Sequence, residues 1–333
     1  MATFDIFNND AFSVSALSQV IVDLPRVQTV LGDSGLFTES GIATTSMMIE
    51  RTGSEYRLVP AAPRGGVGQP VSLKGRTLVP IMATHLPQTG AMLADEVQNI
   101  RAFGSETEVE AVSARLAQKL AVAKSNLDLT IEYHRIGAVK GQILDADGTT
   151  VLMDMYSTMG VTQQTINFVL GTAATKVKAK ITEVTRAIRT KLGGRSFTGA
   201  EVLCSAAFFD ALTGHATVEK AFELFQQNAY AREDQRGASF TFAGVTFREY
   251  LGGVGGIDFI PAGEAYAYPT GVANLFQTAY APAPYLETVN TLGLPYYAKQ
   301  MLMDFDKGVT FETQSNPINL CTLPEAVLKL LAA

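Results

Sequence analysis

The residues Gly32-Asp33-Ser34-Gly35 match part of the nucleophile string of serine proteases, in which a serine oxygen attacks a carbonyl with the help of a histidine base. In the protease fold that carries this string, the histidine precedes the serine in the chain. Here His85, His134 and His215 all follow Ser34, and the second glycine of the signature is absent. A turn in a loop therefore explains these four residues better than a catalytic serine does.

Two acidic runs begin like calcium-binding loops, which take oxygen ligands from the first, third and fifth positions and turn at a glycine in the sixth. In the run Asp304–Gly308, a glycine occupies the fifth position and Lys307 would place a cation beside the metal. The run Asp145–Gly148 has its glycine two positions too early. Both runs are therefore predicted as exposed turns without a metal.

The cysteines and the Gly-rich loops do not match a known chemical site either. Cys204 and Cys321 lie far apart in the sequence and are expected as buried thiols, not as a disulfide or a zinc site. The Gly-rich loops Gly65–Gly68 and Gly252–Gly256 lack the Gly-Lys-Ser/Thr ending of a phosphate-binding loop. The sequence therefore predicts no catalytic, cofactor-binding or metal-binding residue and no cofactor, and the chain is not expected to be an enzyme. An α/β enzyme with an unrecognised site stays open as an alternative.

The composition allows a sizeable core, because 47% of the 333 residues are hydrophobic. A net charge of −6 provides no global basic field to attract nucleic acid. The N-terminal residues are acidic where a signal peptide would be basic, and no apolar run approaches the ~18 residues of a membrane-spanning helix. We therefore expect a protein that is made and used in the cytoplasm, away from membranes.

One predicted helix, at about 173–192, concentrates positive charge in this acidic chain. Glu183 is its one acidic residue, whereas its basic residues are Lys176, Lys178, Lys180, Arg186, Arg189 and Lys191. Two interpretations stay open: a solvated helix face, or a contact for an acidic partner such as a neighbouring subunit or a scaffold.

The N-terminal part of the chain reads as an arm, a hairpin and a long helix. Residues 1 to about 45 need a surface to lie on, in their own domain or on a neighbouring subunit, and include a short helical stripe that Pro25 ends. Residues 46–86 predict two extended limbs around the Gly- and Pro-rich tip Pro60–Pro70. A short helix is expected at 91–103, and Ser105 caps a long helix that reaches Tyr133. Its apolar stripe has 3-4 spacing: Val109, Val112, Leu116, Leu120, Ala123, Leu127 and Ile131.

The rest of the chain mixes helices and strands, which predicts an α+β fold. A hairpin is expected at 139–156 around an Asp-Gly turn, and a tight hairpin at 240–247. Helices are expected at 173–192, 206–213 and 218–227, and strands at 202–205 and 257–261.

The C-terminal run Pro284–Leu331 is similar to the closing segment of lambda-type phage major capsid proteins, the capsid protein E family. An acidic and aromatic approach at Tyr285 and Glu287 leads to Gly293-Leu294-Pro295 and an alternating segment. A second short strand then precedes Gln314-Ser315-Asn316-Pro317, and a final apolar segment follows.

The order of the predicted elements also resembles the HK97-like capsid fold. The segment from Met48-Ile49-Glu50 to Arg64-Gly65 looks like the entry to the extended E-loop of that family. The resemblance implies an α+β fold in five segments. These are an N-terminal arm at 1–45, an E-loop hairpin at 46–90, a peripheral domain with a long spine helix at 91–160, an α/β axial domain at 161–283, and a return to the peripheral domain at 284–333.

What this resemblance implies is the major capsid protein of a tailed double-stranded DNA phage, self-assembling into the icosahedral shell that encloses the genome. The expected partners are copies of the chain in hexamers and pentamers, a scaffolding protein, a portal protein, a decoration protein and non-specifically contacted packaged DNA, with no membrane. We expect the protein in the virion after assembly in the host cytoplasm. The shell of an encapsulin-like host compartment is the main alternative, beside the enzyme named above.

Overall fold

The computed structural model describes residues 13–25, 27, 29–51, 77–97, 108–219 and 239–333 as a mixture of helices and strands. The chain divides into two units, each built from three separate stretches of sequence. The first unit comprises Met1–Met47, Ile81–His134 and Gln277–Asn319, and the second comprises Met48–Pro80, Arg135–Phe276 and Leu320–Ala333.

Up to the end of the longest described helix, the regular elements are α1 (Val14–Asp23), α2 (Val30–Asp33), β1 (Phe37–Gly41), β2 (Ser46–Arg51), β3 (Thr77–Met82), β4 (Leu86–Leu93), α3 (Ala94–Val97) and α4 (Glu108–Lys140). The middle of the chain forms β5 (Gln142–Leu144), β6 (Val151–Asp154), α5 (Met155–Met159), β7 (Gln164–Asn167), α6 (Val177–Leu192), β8 (Gly199–Cys204) and α7 (Ala206–Thr213). The last part forms β9 (Ser239–Phe242), β10 (Val245–Glu249), β11 (Gly253–Val254), β12 (Ile257–Asp258), β13 (Glu264–Thr270), β14 (Phe276–Tyr280), β15 (Tyr297–Leu302), β16 (Gly308–Ser315), β17 (Pro317–Cys321) and β18 (Leu328–Leu331).

The long helix α4 buries the predicted apolar stripe wherever its side chains are described. These buried stripe residues are Leu116, Leu120, Ala123, Leu127 and Ile131. At 1.5 Å per residue, the 33 residues of α4 span about 50 Å. The helix continues past Tyr133 to Lys140 and ends where Gly141 adopts a left-handed backbone with a φ of 87°. The predicted N-cap, Ser105, lies outside the described residues.

The first unit combines α1 and α4 with an antiparallel sheet of strand order β15-β16-β4. In this sheet Phe311 of β16 pairs with Gly90 of β4, and its ring covers the position where a Cβ of residue 90 would stand. The helices and the sheet share one apolar core: Leu17, Ile21, Met92, Leu116, Leu120, Leu127, Ile131, Tyr280, Tyr296, Ala298, Val309 and Phe311.

The second unit is built on a six-stranded sheet of order β7-β18-β13-β8-β10-β9. The pairs β8/β10 and β7/β18 are parallel, and the other neighbours are antiparallel. Helices α6 and α7 contribute their apolar faces to its core. The buried face of α6 has three- and four-residue spacing: Val177, Ile181, Val184, Ile188 and Leu192.

Two predicted hairpins are present. The one expected at 139–156 differs at both ends, and its second strand stops at Asp154 because Met155 and Tyr156 belong to α5. The hairpin at 240–247 is β9 and β10, and its turn residues Ala243 and Gly244 have φ values of 52° and 82°, as a tight primed turn requires. The hairpin at 139–156 is β5 and β6. Its first strand begins at Gln142, not at Val139, because the buried residues Ala138 and Val139 extend the apolar face of α4.

The helix expected at 91–103 begins later than its apolar pattern predicts. Residues 91–93 belong to β4, where Leu93 pairs with Gly308 of β16, and the helix starts at Ala94. Strands β2 and β3 form a two-stranded sheet, while the tip Pro60–Pro70 between them lies outside the described residues. For the helix expected at 218–227, residues 220–227 also lie outside the described residues. None of the described helices is both long and apolar enough to cross a membrane.

Candidate assembly surfaces

Ser34, the serine of the protease-like string, stabilises a turn. The Ser34 hydroxyl donates to the Leu31 carbonyl (2.8 Å) and accepts from the Leu36 N–H (3.2 Å). The imidazole of His85 bonds to the side chain of Asn316 (Nδ1 to Oδ1, 2.8 Å). The hydroxyl of Ser34 is therefore committed to backbone groups of its own loop.

The run Asp145–Gly148 forms the turn between β5 and β6. The Asp147 carboxylate accepts from the N–H groups of Thr149 (2.9 Å) and Thr150 (2.8 Å) and from the Thr150 hydroxyl (2.6 Å). These hydrogen bonds hold the pKa of Asp147 well below its usual range. Among the described residues, no three or more His, Cys, Asp or Glu side chains converge on a point where a metal could sit.

The other sequence candidates also occupy structural positions. Gly252–Gly256 contains β11 and the turn that leads to β12, and does not open a helix. Cys204 and Cys321 are buried free thiols. Burial raises the pKa of Cys321 to about 12 and raises the pKa of Cys204 well above its usual value, so both thiols are poor nucleophiles.

Three charged side chains on α4 form a feature that the sequence patterns do not predict. Lys124, Asp128 and Glu132 are buried and spaced four residues apart, which places them on one face of the helix beside the apolar stripe. We call these three residues the polar ladder. Because buried charges are costly unless they are paired, the ladder must be explained by the groups it holds.

At one end of the ladder, Lys124 holds the C-terminal end of α1. Its ammonium donates to the carbonyl oxygens of Val22 (3.0 Å) and Leu24, and lies 5.0 Å from the ring centroid of Tyr296. The last carbonyls of a helix lack partners within the helix and carry partial negative charge. A buried cation at this end therefore provides hydrogen-bond donors for these oxygens and interacts favourably with the helix dipole.

At the other end, Glu132 holds the N-terminal end of α2. Its two carboxylate oxygens accept from the N–H groups of Leu31 (2.7 Å) and Gly32 (3.1 Å). Between the two ends, Asp128 accepts from the Val27 N–H (3.0 Å). The sign of each end residue thus opposes the partial charge of the helix end that it contacts.

The ladder binds main-chain groups of Val22, Leu24, Val27, Leu31 and Gly32, and so fixes these residues on the first unit. The sequence predicts that the N-terminal arm needs a surface in its own domain or on a neighbour, and for these residues the surface is their own α4. The available sequence signal was the four-residue spacing of Lys124, Asp128 and Glu132 next to an apolar stripe. Which of such charges are buried depends on the tertiary partner.

The hairpin of β2 and β3 has apolar residues on both faces. Ile49 and Ile81 are buried, whereas Met48, Leu78 and Met82 are exposed. A two-stranded sheet is marginal by itself in water, and exposed apolar patches mark interaction sites. The described base of the hairpin therefore offers apolar surface to another molecule.

Helix α6 presents the predicted basic face to solvent. Its apolar residues face the core, and the basic residues on the outer side are exposed apart from Lys180, which is partly buried and lies 3.3 Å from Glu183. Arg189 lies over the ring of Phe197 at 5.8 Å. The remaining exposed positive charge gives the second unit a candidate contact for acidic groups.

A family model described as phage major capsid protein E matches residues 13–332 of the chain. The major capsid protein of Salmonella phage Felix O1 is 26% identical, over 96% of each protein. The major capsid protein of Pseudomonas phage KPP10 is 27% identical, over 97% of each protein.

Solved structures share the fold at much lower identity. The capsid of an empty GTA particle has a TM-score of 0.50 and 12% identity, covering 96% of this chain and 98% of its own. A phage-related protein from Bordetella bronchiseptica RB50 has a TM-score of 0.50 and 9% identity, covering 97% and 98%. The likeness to the GTA capsid confirms the HK97-like α+β fold expected from the order of elements.

Proposed function

The chain belongs to the phage major capsid protein E family, and we propose that its copies close into the icosahedral shell around the double-stranded DNA of a tailed phage. The observation that carries this proposal is the family match over residues 13–332, with two phage major capsid proteins similar over nearly their whole length. This match confirms the resemblance of Pro284–Leu331 and gives the chain a structural role in the virion. It favours the phage shell over an encapsulin-like compartment and over an enzyme.

The exposed apolar surface supports assembly on physical grounds. Met48, Leu78 and Met82 lie on regular strands and would be covered if the hairpin lay against a neighbouring subunit. A contact between different surfaces of identical copies closes into a ring when the geometry allows. We propose hexamers and pentamers as these rings, assembled in the host cytoplasm by a process that needs no catalysis and no cofactor from this chain.

We assign the five capsid segments as the sequence predicts them. Residues 1–45 are the arm, 46–90 the E-loop, 91–160 the peripheral domain with α4 as its spine helix, 161–283 the axial domain, and 284–333 the return to the peripheral domain. The described pairing of β16 with β4 on one side and β15 on the other supports a peripheral sheet made from distant parts of the chain.

Assembly is tested by expressing the full chain alone and together with the neighbouring head genes. Sedimentation and negative-stain microscopy are expected to show closed particles in at least one of the two conditions. A chain that stays monomeric in both conditions would contradict the proposal. The neighbouring genes bear on the partners as well, because we propose a scaffolding protein, a portal protein and a decoration protein beside the packaged DNA.

For the basic face of α6 we propose contact with an acidic partner, either a scaffold or a neighbouring subunit. The contact is expected to weaken with salt, because the Debye length falls from about 10 Å at 0.1 M to about 3 Å at 1 M ionic strength. Exposed charges contribute little to the stability of the folded subunit. Charge reversal on this face should therefore slow assembly and leave the melting temperature nearly unchanged.

The test compares two double variants with the same change of net charge. Lys178→Glu with Arg186→Glu reverses charge on the face, and Arg115→Glu with Lys307→Glu reverses exposed charge on the first unit, outside α6. We expect the first variant to assemble several-fold more slowly than the second at low salt with the scaffold present. Equal rates would mean that the face is merely solvated.

A further inference from the structure

The segment 284–294, between β14 and β15, exposes aliphatic side chains to an unusual degree. Leu286 is 91% exposed, Leu292 67% and Val289 61%, and Leu294 is also exposed. We call this segment the apolar loop. Single exposed apolar residues are ordinary, but four within nine residues form a patch of the kind that marks an interaction surface.

The apolar loop is held by hydrogen bonds of its own. The buried Thr288 hydroxyl donates to the Ala283 carbonyl (2.6 Å), and the Thr291 hydroxyl donates to the Thr288 carbonyl (2.8 Å). At its end, the Leu294 N–H donates to the Tyr297 hydroxyl (2.9 Å). Thr288 is buried while the aliphatic side chains around it are exposed, so a partner would meet a preformed surface.

Two further contacts fix the ends of the loop on the first unit. Gly293 donates its N–H to the Ile42 carbonyl (2.9 Å), and a Cβ at this glycine would overlap the Tyr280 carbonyl oxygen. At the other end, Glu287 bonds to Lys299 (2.8 Å) and forms a charged margin beside Leu286. An apolar centre with a charged margin is the usual anatomy of a protein interface.

We propose that the apolar loop is a subunit contact, covered in the shell by a second copy of this chain. This inference rests on the proposed function. A stable isolated interface buries about 800 Å² on each partner, from about 20–30 residues. The apolar loop has only eleven residues, 284–294, and is therefore smaller than such an interface. A contact of this size suits a shell in which each subunit makes many modest contacts, and is too small to hold two free subunits together as a dimer.

The decisive measurement is the reactivity of a single introduced thiol. Cys204 and Cys321 are buried, so a thiol at Leu286→Cys is the accessible one, and Ala146→Cys on the polar β5–β6 turn gives a matched exposed reference. A small maleimide is applied to purified shells shown by gel to contain this chain alone, and to subunits dissociated from them. The readout is the labelling rate at position 286 divided by the rate at position 146.

We expect this ratio to fall at least tenfold in shells. An unchanged ratio would overturn the inference, and so would a fall that occurs only in particles containing scaffold or decoration protein. Failure of the proposed function looks different, because the wild-type chain would then form no shells at all.

A second variant separates assembly from folding. Leu286→Ser, Val289→Ser and Leu292→Ser together should leave the melting temperature of the subunit nearly unchanged, because these side chains are exposed. The yield of shells should fall at least tenfold. Leu251→Ser with Val254→Ser removes exposed aliphatic groups from the β11–β12 hairpin and should assemble like the wild type. Normal shells from the triple variant would contradict the inference.

Discussion

Replacing Glu132 tests whether the polar ladder fixes the N-terminal segment. The carboxylate accepts two N–H groups at the start of α2, from Leu31 at 2.7 Å and Gly32 at 3.1 Å. A hydrogen bond to a charged group contributes about 1.5–3 kcal/mol, and a buried donor left without a partner costs about 1–3 kcal/mol. The two bonds share one carboxylate and are not additive, so Glu132→Ala should lower the free energy of unfolding by about 2–4 kcal/mol.

The assay is urea unfolding of the unassembled subunit, with amide hydrogen exchange as a local probe. Glu132→Gln keeps the shape and one acceptor oxygen, so we expect about half of the loss. Glu183→Ala removes an exposed carboxylate whose ion pair with Lys180 is 3.3 Å long, and should change the free energy by less than about 0.5 kcal/mol. Exchange at Leu31 and Gly32 should accelerate in Glu132→Ala. A loss below about 0.5 kcal/mol with unchanged exchange would refute our account of the ladder.

Three further variants test the core, the apolar loop and the hairpin. Leu120→Ala should destabilise the unassembled subunit by about 2–5 kcal/mol in chemical unfolding, because Leu120 is 1% exposed in the core of the first unit; a change under about half a kilocalorie would contradict this placement. Gly293→Ala should lower the melting temperature, because its Cβ would stand 2.7 Å from the carbonyl carbon of Ala281; scanning calorimetry showing no shift would mean that the loop adapts freely. Replacing Ala61–Val67 with a short Gly-Ser link should leave a folded subunit that assembles poorly, and normal, stable shells in micrographs would show that the hairpin tip is not an inter-subunit strap.

Periodicity in the sequence was enough to predict the elements that local patterns determine. The stripe of Leu116, Leu120 and Leu127 predicted a buried helix face, because apolar residues at three- and four-residue spacing have one common side. The hairpin at 240–247 is equally local, because aromatic residues alternate along two short strands that meet at Ala243-Gly244.

Local sequence patterns do not predict which distant segments of the chain pair with each other. Leu93 fits a helical pattern with Val97 and Ile100, but it lies in β4 because β16, from the far end of the chain, pairs with it. Likewise, hydropathy assigns Lys124 and Glu132 to solvent. Both are buried because the ends of α1 and α2 supply main-chain partners for their charges.

The basic face of α6 and the apolar loop also differ in how far the sequence predicts them. The excess of basic residues on α6 could be read from the sequence, because a count of charges needs no tertiary information. The apolar loop was recognised only as part of a family-like segment. The exposure of its leucines depends on the tertiary contacts of Thr288 and Gly293, which hold the loop on the first unit.

Cryo-electron microscopy of particles from the full chain, expressed with its neighbouring head genes, tests the central claim most directly. We expect closed icosahedral shells whose density is filled by repeated copies of this fold, with segment 284–294 against an adjacent copy. Monomers or small oligomers alone, under the same expression conditions, would contradict the claim that this chain builds the shell.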